Sequence, residues 1–322
     1  MIQSIKKVSW RNAVKNLYVY GILLLFVIIF WALSPKFLSI ASVNNILRTA
    51  APLVITSAAA TLLMLSGNVD LSVGSILGFS GVLFATFCKI GIATPISAIL
   101  VAIVGIGIGI INGFIVVKLK IIPVIATLAT MNILLGVSKL MCGETIPYVK
   151  GNLPKDFGFL GRGDVGGVPI QLFLMIAAVV IFVLLQKKSI FGKYSIAIGG
   201  NQTAAQLAGI NVKMIVWVLY AMVGCAAAFS GVIRASNMTI GDATAGMGFE
   251  LDVIIAILMG GTSFFGGEGS VARTIAGAFI LIILGIGMNQ AGVPPFYQYV
   301  VKGMVLVLAV LLDKLVKEKI SD

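Results

Sequence analysis

The chain has 322 residues, of which 59% are hydrophobic and 11% are charged, and its mean hydropathy is +1.11. A water-soluble domain carries about 25% charged residues, so the composition argues against a soluble enzyme and predicts a chain whose solvent is lipid. The net charge of +12 then indicates loops that face anionic lipid, with nucleic acid excluded as a partner.

Charged residues bracket ten apolar runs along the chain. Since a helix needs roughly 20 apolar residues to cross a bilayer, the runs predict an all-α bundle of about ten transmembrane helices. The first run lacks a small-residue cleavage site, so we expect a retained span and not a signal peptide. The spans are expected at about 17–34, 49–66, 71–88, 91–117, 121–138, 168–186, 214–233, 253–265, 274–292 and 296–312.

Lys and Arg are concentrated on one set of loops, which includes the N-terminal tail, the basic segment 187–213 and the C-terminal tail. Cytoplasmic loops carry the excess of Lys and Arg. We therefore expect both termini and the basic segment in the cytoplasm, and loops 139–168 and 234–252 outside. Residues 1–322 are expected to form a single transmembrane domain.

Segment 66–75, SGNVDLSVGS, interrupts the apolar pattern between spans 2 and 3. An ionisable residue at membrane depth is costly unless it faces protein or water, and a broken helix exposes backbone groups that need partners. Two interpretations of Asp70 stay open. It lies in a solute pathway or gate with Asn68 and Ser72, or it caps span 3 at the cytoplasmic interface.

The sequence GGNQTAAQLAGI, residues 199–210, predicts one short helix inside the basic segment. Asn201 can accept backbone N–H bonds at its start, and Gly209 can adopt a left-handed conformation at its end. The residues between them are mostly Ala and Leu. That surface suits a small projection that fits a groove in another protein.

Two further polar segments flank span 8. In 241–252, Glu250 and Asp252 either interact with a helix dipole or form a polar mouth or docking surface. In 260–270, GGTSFFGGEGS, Thr262 and Ser263 offer hydroxyls, although an ordinary tight turn is the alternative. The amides of Asn132, Asn289 and Gln290 lie within or near spans, where each can bond a solute hydroxyl or a neighbouring helix.

The sequence contains no energy-converting or catalytic motif. The one Gly-Lys pair, Gly192-Lys193, is followed by Tyr and lacks the earlier glycine of a phosphate-binding loop. There is no His, and the three cysteines have no metal-site spacing. We therefore expect a transporter driven by another protein, with no enzymatic activity and no cofactor of its own. An ion-coupled secondary transporter that uses Asp70 is the main alternative.

Four segments, GNVDLSVGS, GGNQTAAQLAGINV, TAGMGFELD and GGTSFFGGEGS, together resemble the permease subunits of ribose-type ATP-binding-cassette importers over about residues 35–313. The resemblance implies transport of a monosaccharide or related small polar solute across the bacterial inner membrane. It implies three partners: a cytoplasmic ATPase that binds ATP and Mg, an extracytoplasmic sugar-binding protein, and a second permease copy.

The resemblance also implies roles for individual residues. Coupling to the ATPase would involve Gly200, Asn201, Ala204, Ala205, Leu207, Gly209 and Ile210. The solute pathway or gate would involve Asn68, Asp70, Ser72, Thr262, Ser263 and Asn289. The binding protein would dock near Glu250 and Asp252.

Overall fold

The computed structural model of the protein describes residues 19–143 and 148–321. These residues form thirteen α-helices, two 3-10 helices and four two-residue strands. The helices are α1 (Val19–Leu33), α2 (Ile40–Leu65), α3 (Val73–Lys89), α4 (Thr94–Val117), α5 (Pro123–Cys142), α6 (Phe159–Arg162), α7 (Ile170–Lys188), α8 (Ile190–Gly200), α9 (Gln202–Leu207), α10 (Val212–Met238), α11 (Phe249–Met259), α12 (Val271–Gln290) and α13 (Pro295–Ser321). The 3-10 helices are Pro35–Leu38 and Lys155–Gly158, and the strands are β1 (Tyr148–Val149), β2 (Asp164–Val165), β3 (Val168–Pro169) and β4 (Gly241–Asp242).

Ten of these helices coincide with the ten predicted spans, so the helical membrane bundle is confirmed. In the part of the chain that the structure describes, six helices are long and apolar enough to cross a membrane: α2, α4, α5, α7, α10 and α12. Helix α11 has 11 residues. At 1.5 Å per residue it is about 16 Å long, roughly half the thickness of a bilayer's hydrocarbon core.

Several predicted span boundaries are wrong, including the end of span 10, because α13 continues to Ser321. The sequence predicts span 2 from residue 49, whereas α2 begins at Ile40 because the Ser39 hydroxyl caps it by accepting a hydrogen bond from Ser42 N at 3.3 Å. Arg48 therefore lies inside α2, where it pairs with Asp164 at 2.7 Å. Span 8 is predicted to reach residue 265, but α11 ends at Met259.

Helices α2 and α10 form the centre of the bundle. Helix α10 packs against α2, α3 and α4, and α2 also packs against α7 and α12. The crossing of α4 and α10 requires glycine, because a Cβ on Gly105 or Gly109 would overlap the backbone of Gly224 or Tyr220. Close approach through small residues is a common way for helices to associate in lipid, where burial of apolar surface gives little driving force.

Residues 148–169 fold into a compact cap, where the sequence predicts an open loop. Strand β1 pairs antiparallel with β4, and β2 pairs antiparallel with β3. Phe157 stacks on Phe84 of α3 with ring centroids 4.7 Å apart. The Ser236 hydroxyl of α10 accepts a hydrogen bond from Gly161 N and donates one to Phe157 O. The cap is thus bonded to the end of α10.

Residues 241–248 lie along α3, although the sequence predicts them in an open loop spanning 234–252. Gly241 lies against Ala85, and Gly246 lies against Gly74. A Cβ on Gly78 would stand 2.7 Å from Ala243 O, so the glycines of α3 make room for this backbone. Irregular backbone is tolerated at membrane depth only where protein or water surrounds it, and α3 supplies that protein surface.

Candidate functional site

Helix α9 has both of the predicted end structures. Asn201 Oδ1 accepts a hydrogen bond from Ala204 N at 2.9 Å, and Gly209 has φ +82°. Ile210 N donates to Ala205 O at 3.1 Å, and Gly209 N donates to Gln206 O at 3.0 Å. These two bonds form a Schellman motif, which satisfies the last carbonyls of the helix. A six-residue helix is thereby fixed in length.

The outer surface of α9 is small and mixes polar and apolar side chains, since Gln202, Thr203 and Gln206 are exposed. Leu207 is 86% exposed, and Ala204 and Ala208 are exposed beside it. Ala205 is only 5% exposed, so among the residues predicted to couple to the ATPase it points into the protein. Gly200 belongs to the last turn of α8, so the sequence interpretation of 199–210 as one helix is wrong at its first two residues.

The end of α8 meets both polar breaks at one point, the glycine junction, which consists of Gly67, Gly199, Gly266 and Gly267. Gly267 N donates a hydrogen bond to Leu65 O at 2.9 Å. A Cβ on Gly199 would overlap that carbonyl oxygen and lie 2.5 Å from Gly267 N. A Cβ on Gly266 would lie 2.6 Å from Gly67 N. Three chain segments are therefore in backbone contact, with no room for a side chain between them.

Gln186 provides a second connection between the basic segment and the break 260–270. This buried side chain in the last turn of α7 accepts a hydrogen bond from Val271 N at 2.9 Å and donates one to Gly269 O at 3.1 Å. Gly192 of α8 packs against the Gln186 backbone. Both ends of α8 are thus attached to the segment that leads into α12.

Asp70 lies in a buried polar cluster that joins the start of α3 to α4. It is 7% exposed. Its Oδ1 accepts hydrogen bonds from Ser72 N at 2.8 Å and Ser72 Oγ at 2.6 Å, and its Oδ2 accepts one from Asn112 Nδ2 at 3.2 Å. Asn112 Oδ1 in turn accepts a bond from Thr130 of α5 at 2.6 Å. The carboxylate therefore has partners on both oxygens, as a buried charge requires.

Two further bonds connect the first break to neighbouring helices. The Thr127 hydroxyl of α5 accepts a hydrogen bond from Leu71 N at 3.1 Å, and the Tyr220 hydroxyl of α10 donates one to Val69 O at 3.0 Å. The backbone of the break is satisfied by side chains within the protein. The bond from Ser72 N to Asp70 closes a turn before α3, whose N-cap residue Ser72 makes no side-chain cap bond. The capping interpretation and a pathway role for Asn68, Asp70 and Ser72 both stay predictions.

Exchanging the side chains of Asp70 and Asn112 tests whether the hydrogen bond between them stabilises the protein. Asp70→Asn turns one acceptor into a donor that faces the donor Asn112 Nδ2, so we expect a loss of about 1–3 kcal/mol in the free energy of unfolding. Asn112→Asp combined with Asp70→Asn places one carboxylate and one amide in the cluster again. Thermal unfolding in detergent should show partial recovery in the double variant, and equal melting temperatures for the single and double variants would contradict this bonding pattern.

Thr262 and Ser263 are both 2% exposed and take part in hydrogen bonds of the second break. Thr262 Oγ1 accepts one from Ser270 N at 3.2 Å, and Ser263 N donates one to Glu268 O at 2.8 Å. Asn289 lies near the opposite end of α12, about 27 Å away along the helix, where it accepts a bond from Gln298. The structure therefore brings the two breaks together and separates Asn289 from them.

The two acids predicted to dock a binding protein contact other helices of the same chain. Asp252 of α11 pairs with Lys302 of α13 at 2.7 Å. The Glu250 carboxylate lies directly against Gly74 of α3. Both are partly buried, and their role in docking stays a prediction.

Comparison with known proteins identifies the family. Residues 42–310 match the family described as "Branched-chain amino acid transport system / permease component". The chain belongs to this family. It is 38% identical over 315 residues to the ribose import permease protein of Bacillus subtilis (strain 168), with 96% of each chain covered. It is 33% identical over 333 residues to the galactose/methyl galactoside import permease protein of Escherichia coli (strain K12), with 98% of each chain covered. No solved structure matches the chain.

Family membership and the six long apolar helices make the chain a multi-pass protein of the bacterial inner membrane.

The residues that the sequence interpretation missed are those that bond to the breaks from other helices: Asn112, Thr127, Thr130, Gln186 and Tyr220. Asn112 and Tyr220 each lie singly in an apolar run, where a polar residue has many possible partners, and Gln186 lies beside Lys187 at the end of such a run. Thr127 and Thr130 carried a signal, because a spacing of three places both on one helix face.

Proposed function

We propose that this chain is the membrane permease subunit of an ATP-binding-cassette importer for a monosaccharide of the ribose type or a related small polar solute. The observation that carries the proposal is similarity over nearly the whole chain, at 33–38% identity, to permeases named for ribose and galactose import. The family description mentions branched-chain amino acids, but these full-length relatives favour a sugar.

In this proposal the chain itself performs no catalysis and binds no cofactor. A separate cytoplasmic ATPase binds ATP and Mg, and a binding protein delivers the solute from outside. A second permease copy completes the pathway. Capture of the solute by the binding protein explains why few charged side chains lie within the spans, since a pathway of weakly polar groups then suffices.

Helix α9 is the proposed contact with the ATPase. Its large exposed apolar side chain is Leu207, it lies in the basic segment that contains Lys193 and Lys213, and its two ends are fixed by hydrogen bonds. For α9 to reach the ATPase, segment 187–213 must be cytoplasmic, in agreement with its excess of Lys and Arg. The proposal places both termini, which are also basic, on the same side. The cap and residues 241–248 then approach the extracytoplasmic side.

Movement of α9 would reach the membrane through the glycine junction. Helix α9 follows α8 after the single residue Asn201, so the two are expected to move together. At the junction α8 touches both breaks through backbone atoms. Close-packed protein transmits displacement, and no long side chain at this contact can change rotamer to absorb it. The segments that contain Asp70 and Thr262 would then shift together.

Reconstitution in sealed vesicles tests the function. The permease, its ATPase and a sugar-loaded binding protein should together accumulate the sugar only when ATP is present on the ATPase side. An ion gradient without ATP should drive no accumulation of the sugar. Accumulation by the permease without the ATPase, dependent on a sodium or proton gradient, would contradict the proposal and identify an ion-coupled secondary transporter.

A further inference from the structure

Asn132 stands out on the outer surface of the helix bundle. It is exposed, and it is the tenth of the 20 residues of α5. A helix of that length is about 30 Å long, close to the thickness of the hydrocarbon core. Asn132 therefore lies near the middle of the membrane and faces away from its own protein.

The other outward faces differ from that of α5. Across the described residues of α1, α4 and α7, the exposed positions in the middle of each helix are apolar, among them Leu25, Ile103 and Val180. Such faces suit contact with lipid tails. Asn132 is the one exposed amide or charged side chain at mid-helix that the structure describes in the long apolar helices.

The amide of Asn132 is only partly used. Its Nδ2 donates a hydrogen bond to Leu128 O of its own helix at 2.9 Å, which leaves one N–H and the acceptor Oδ1 for another group. Among the described residues no other helix supplies that group. Polar side chains within spans usually face a bundle interior or a water-filled cavity, so this face of α5 is a poor surface for lipid.

Space is available beside the amide. Ala129 and Gly136, three residues before and four after it, are exposed on the same helix face. A Cβ on Gly136 would find nothing within 4 Å. Asn132 is thus flanked on its helix face by two small residues, and the space beside Gly136 is open.

We propose that the outer face of α5 lines the solute pathway, with the Asn132 amide bonding a hydroxyl of the passing sugar at mid-membrane. This inference rests on the proposed function. The pathway wall is incomplete in one copy, because the face lies on the outside of the bundle, and a second copy of the chain must close it. An amide matches this solute, since it offers a donor and an acceptor to hydroxyls that do both.

Thiol labelling tests the environment of this position. The native cysteines are first replaced, and Asn132→Cys is compared with Ile103→Cys, which lies on the exposed face of α4. In the reconstituted importer, a water-soluble thiol reagent should modify Asn132→Cys at least about tenfold faster than Ile103→Cys, because thiols react as thiolates in water. Equal, slow modification of both, with and without ATP, would overturn the proposal.

Uptake provides the second measurement. Asn132→Leu should lower ATP-driven sugar uptake about tenfold, the factor expected from one lost hydrogen bond, while Asn132→Gln should retain more uptake. A different result would indicate that Asn132 packs between two permease copies. In that case Asn132→Leu would abolish the association of two differently tagged copies, and Asn132→Cys would be labelled slowly. That result would overturn a pathway role. If the parent importer accumulates sugar but Asn132→Cys is modified as slowly as Ile103→Cys, this inference fails and the proposed function stands.

Discussion

Gly199→Ala is expected to lower ATP-driven solute uptake at least about tenfold, although it adds a single methyl group. The new Cβ would overlap Leu65 O and stand 2.5 Å from Gly267 N and 3.0 Å from the carbonyl carbon of Gly266. All three are backbone atoms, so the clash cannot be relieved by a rotamer change. Overpacking of this kind costs about 1–3 kcal/mol, and here the strain would separate α8 from both breaks.

The adjacent residue supplies a matched control for this prediction. Gly200 also lies in the last turn of α8, but a Cβ there would find nothing within 4 Å. Replacing a helical glycine by alanine favours the helix by about 1 kcal/mol at either position. Any difference between Gly199→Ala and Gly200→Ala therefore reports the contact and not helix propensity.

Two readouts separate loss of coupling from misfolding. Both variants should bind the ATPase with unchanged affinity, since α9 is intact in each and Gly200, for which the resemblance implied a coupling role, belongs to α8. Only Gly199→Ala should lose the stimulation of ATP hydrolysis by sugar-loaded binding protein. If both variants transported sugar at the parental rate, the glycine junction would have no part in coupling.

The elements that the sequence predicted well are those set by local chemistry. The spans follow from runs of apolar residues, and the ends of α9 follow from Asn201 and Gly209, whose preferences act within five residues. The two breaks were found because Gly, Ser and Asn interrupt those runs. In each case the information lies in neighbouring residues along the chain.

The features that the sequence could not predict depend on contacts between distant segments. Gly199 and Gly266 are 67 positions apart, and their contact follows from the packing of α8 against α2 and α7. In the sequence Asn112 is one amide within span 4, and only the fold shows that its Nδ2 lies 3.2 Å from Asp70 Oδ2. The cap was predicted as a loop because its stability comes from Phe84 and Ser236, on helices far from it in sequence.

Burial also changes which residue of α9 should contact the ATPase. Before the fold is known, Ala205 and Leu207 are equal candidates, since both lie in the helix core. In the structure Ala205 is 5% exposed and Leu207 is 86% exposed. A substitution at Ala205 would act through the packing of α9 on its own protein, whereas one at Leu207 alters the outer surface alone.

Leu207→Ala is therefore expected to weaken binding of the ATPase about ten- to a hundredfold. Burying a leucine side chain is worth about 1.5–3 kcal/mol, and each 1.4 kcal/mol corresponds to about a tenfold change in the dissociation constant. Alanine favours helix at least as well as leucine, so α9 should persist, and the melting temperature should not change because the side chain is exposed.

The neighbouring variant Gln206→Ala is the control, because Gln206 is exposed one position away in the same helix. Titration of the purified ATPase against detergent-solubilised permease should show parental affinity for Gln206→Ala and reduced affinity for Leu207→Ala. Uptake should fall with affinity, and a large excess of ATPase should restore it, because the glycine junction behind α9 is unchanged. Equal affinities for the two variants would mean that the Leu207 side chain does not contact the ATPase, and the ATPase would then have to move the permease through another cytoplasmic segment.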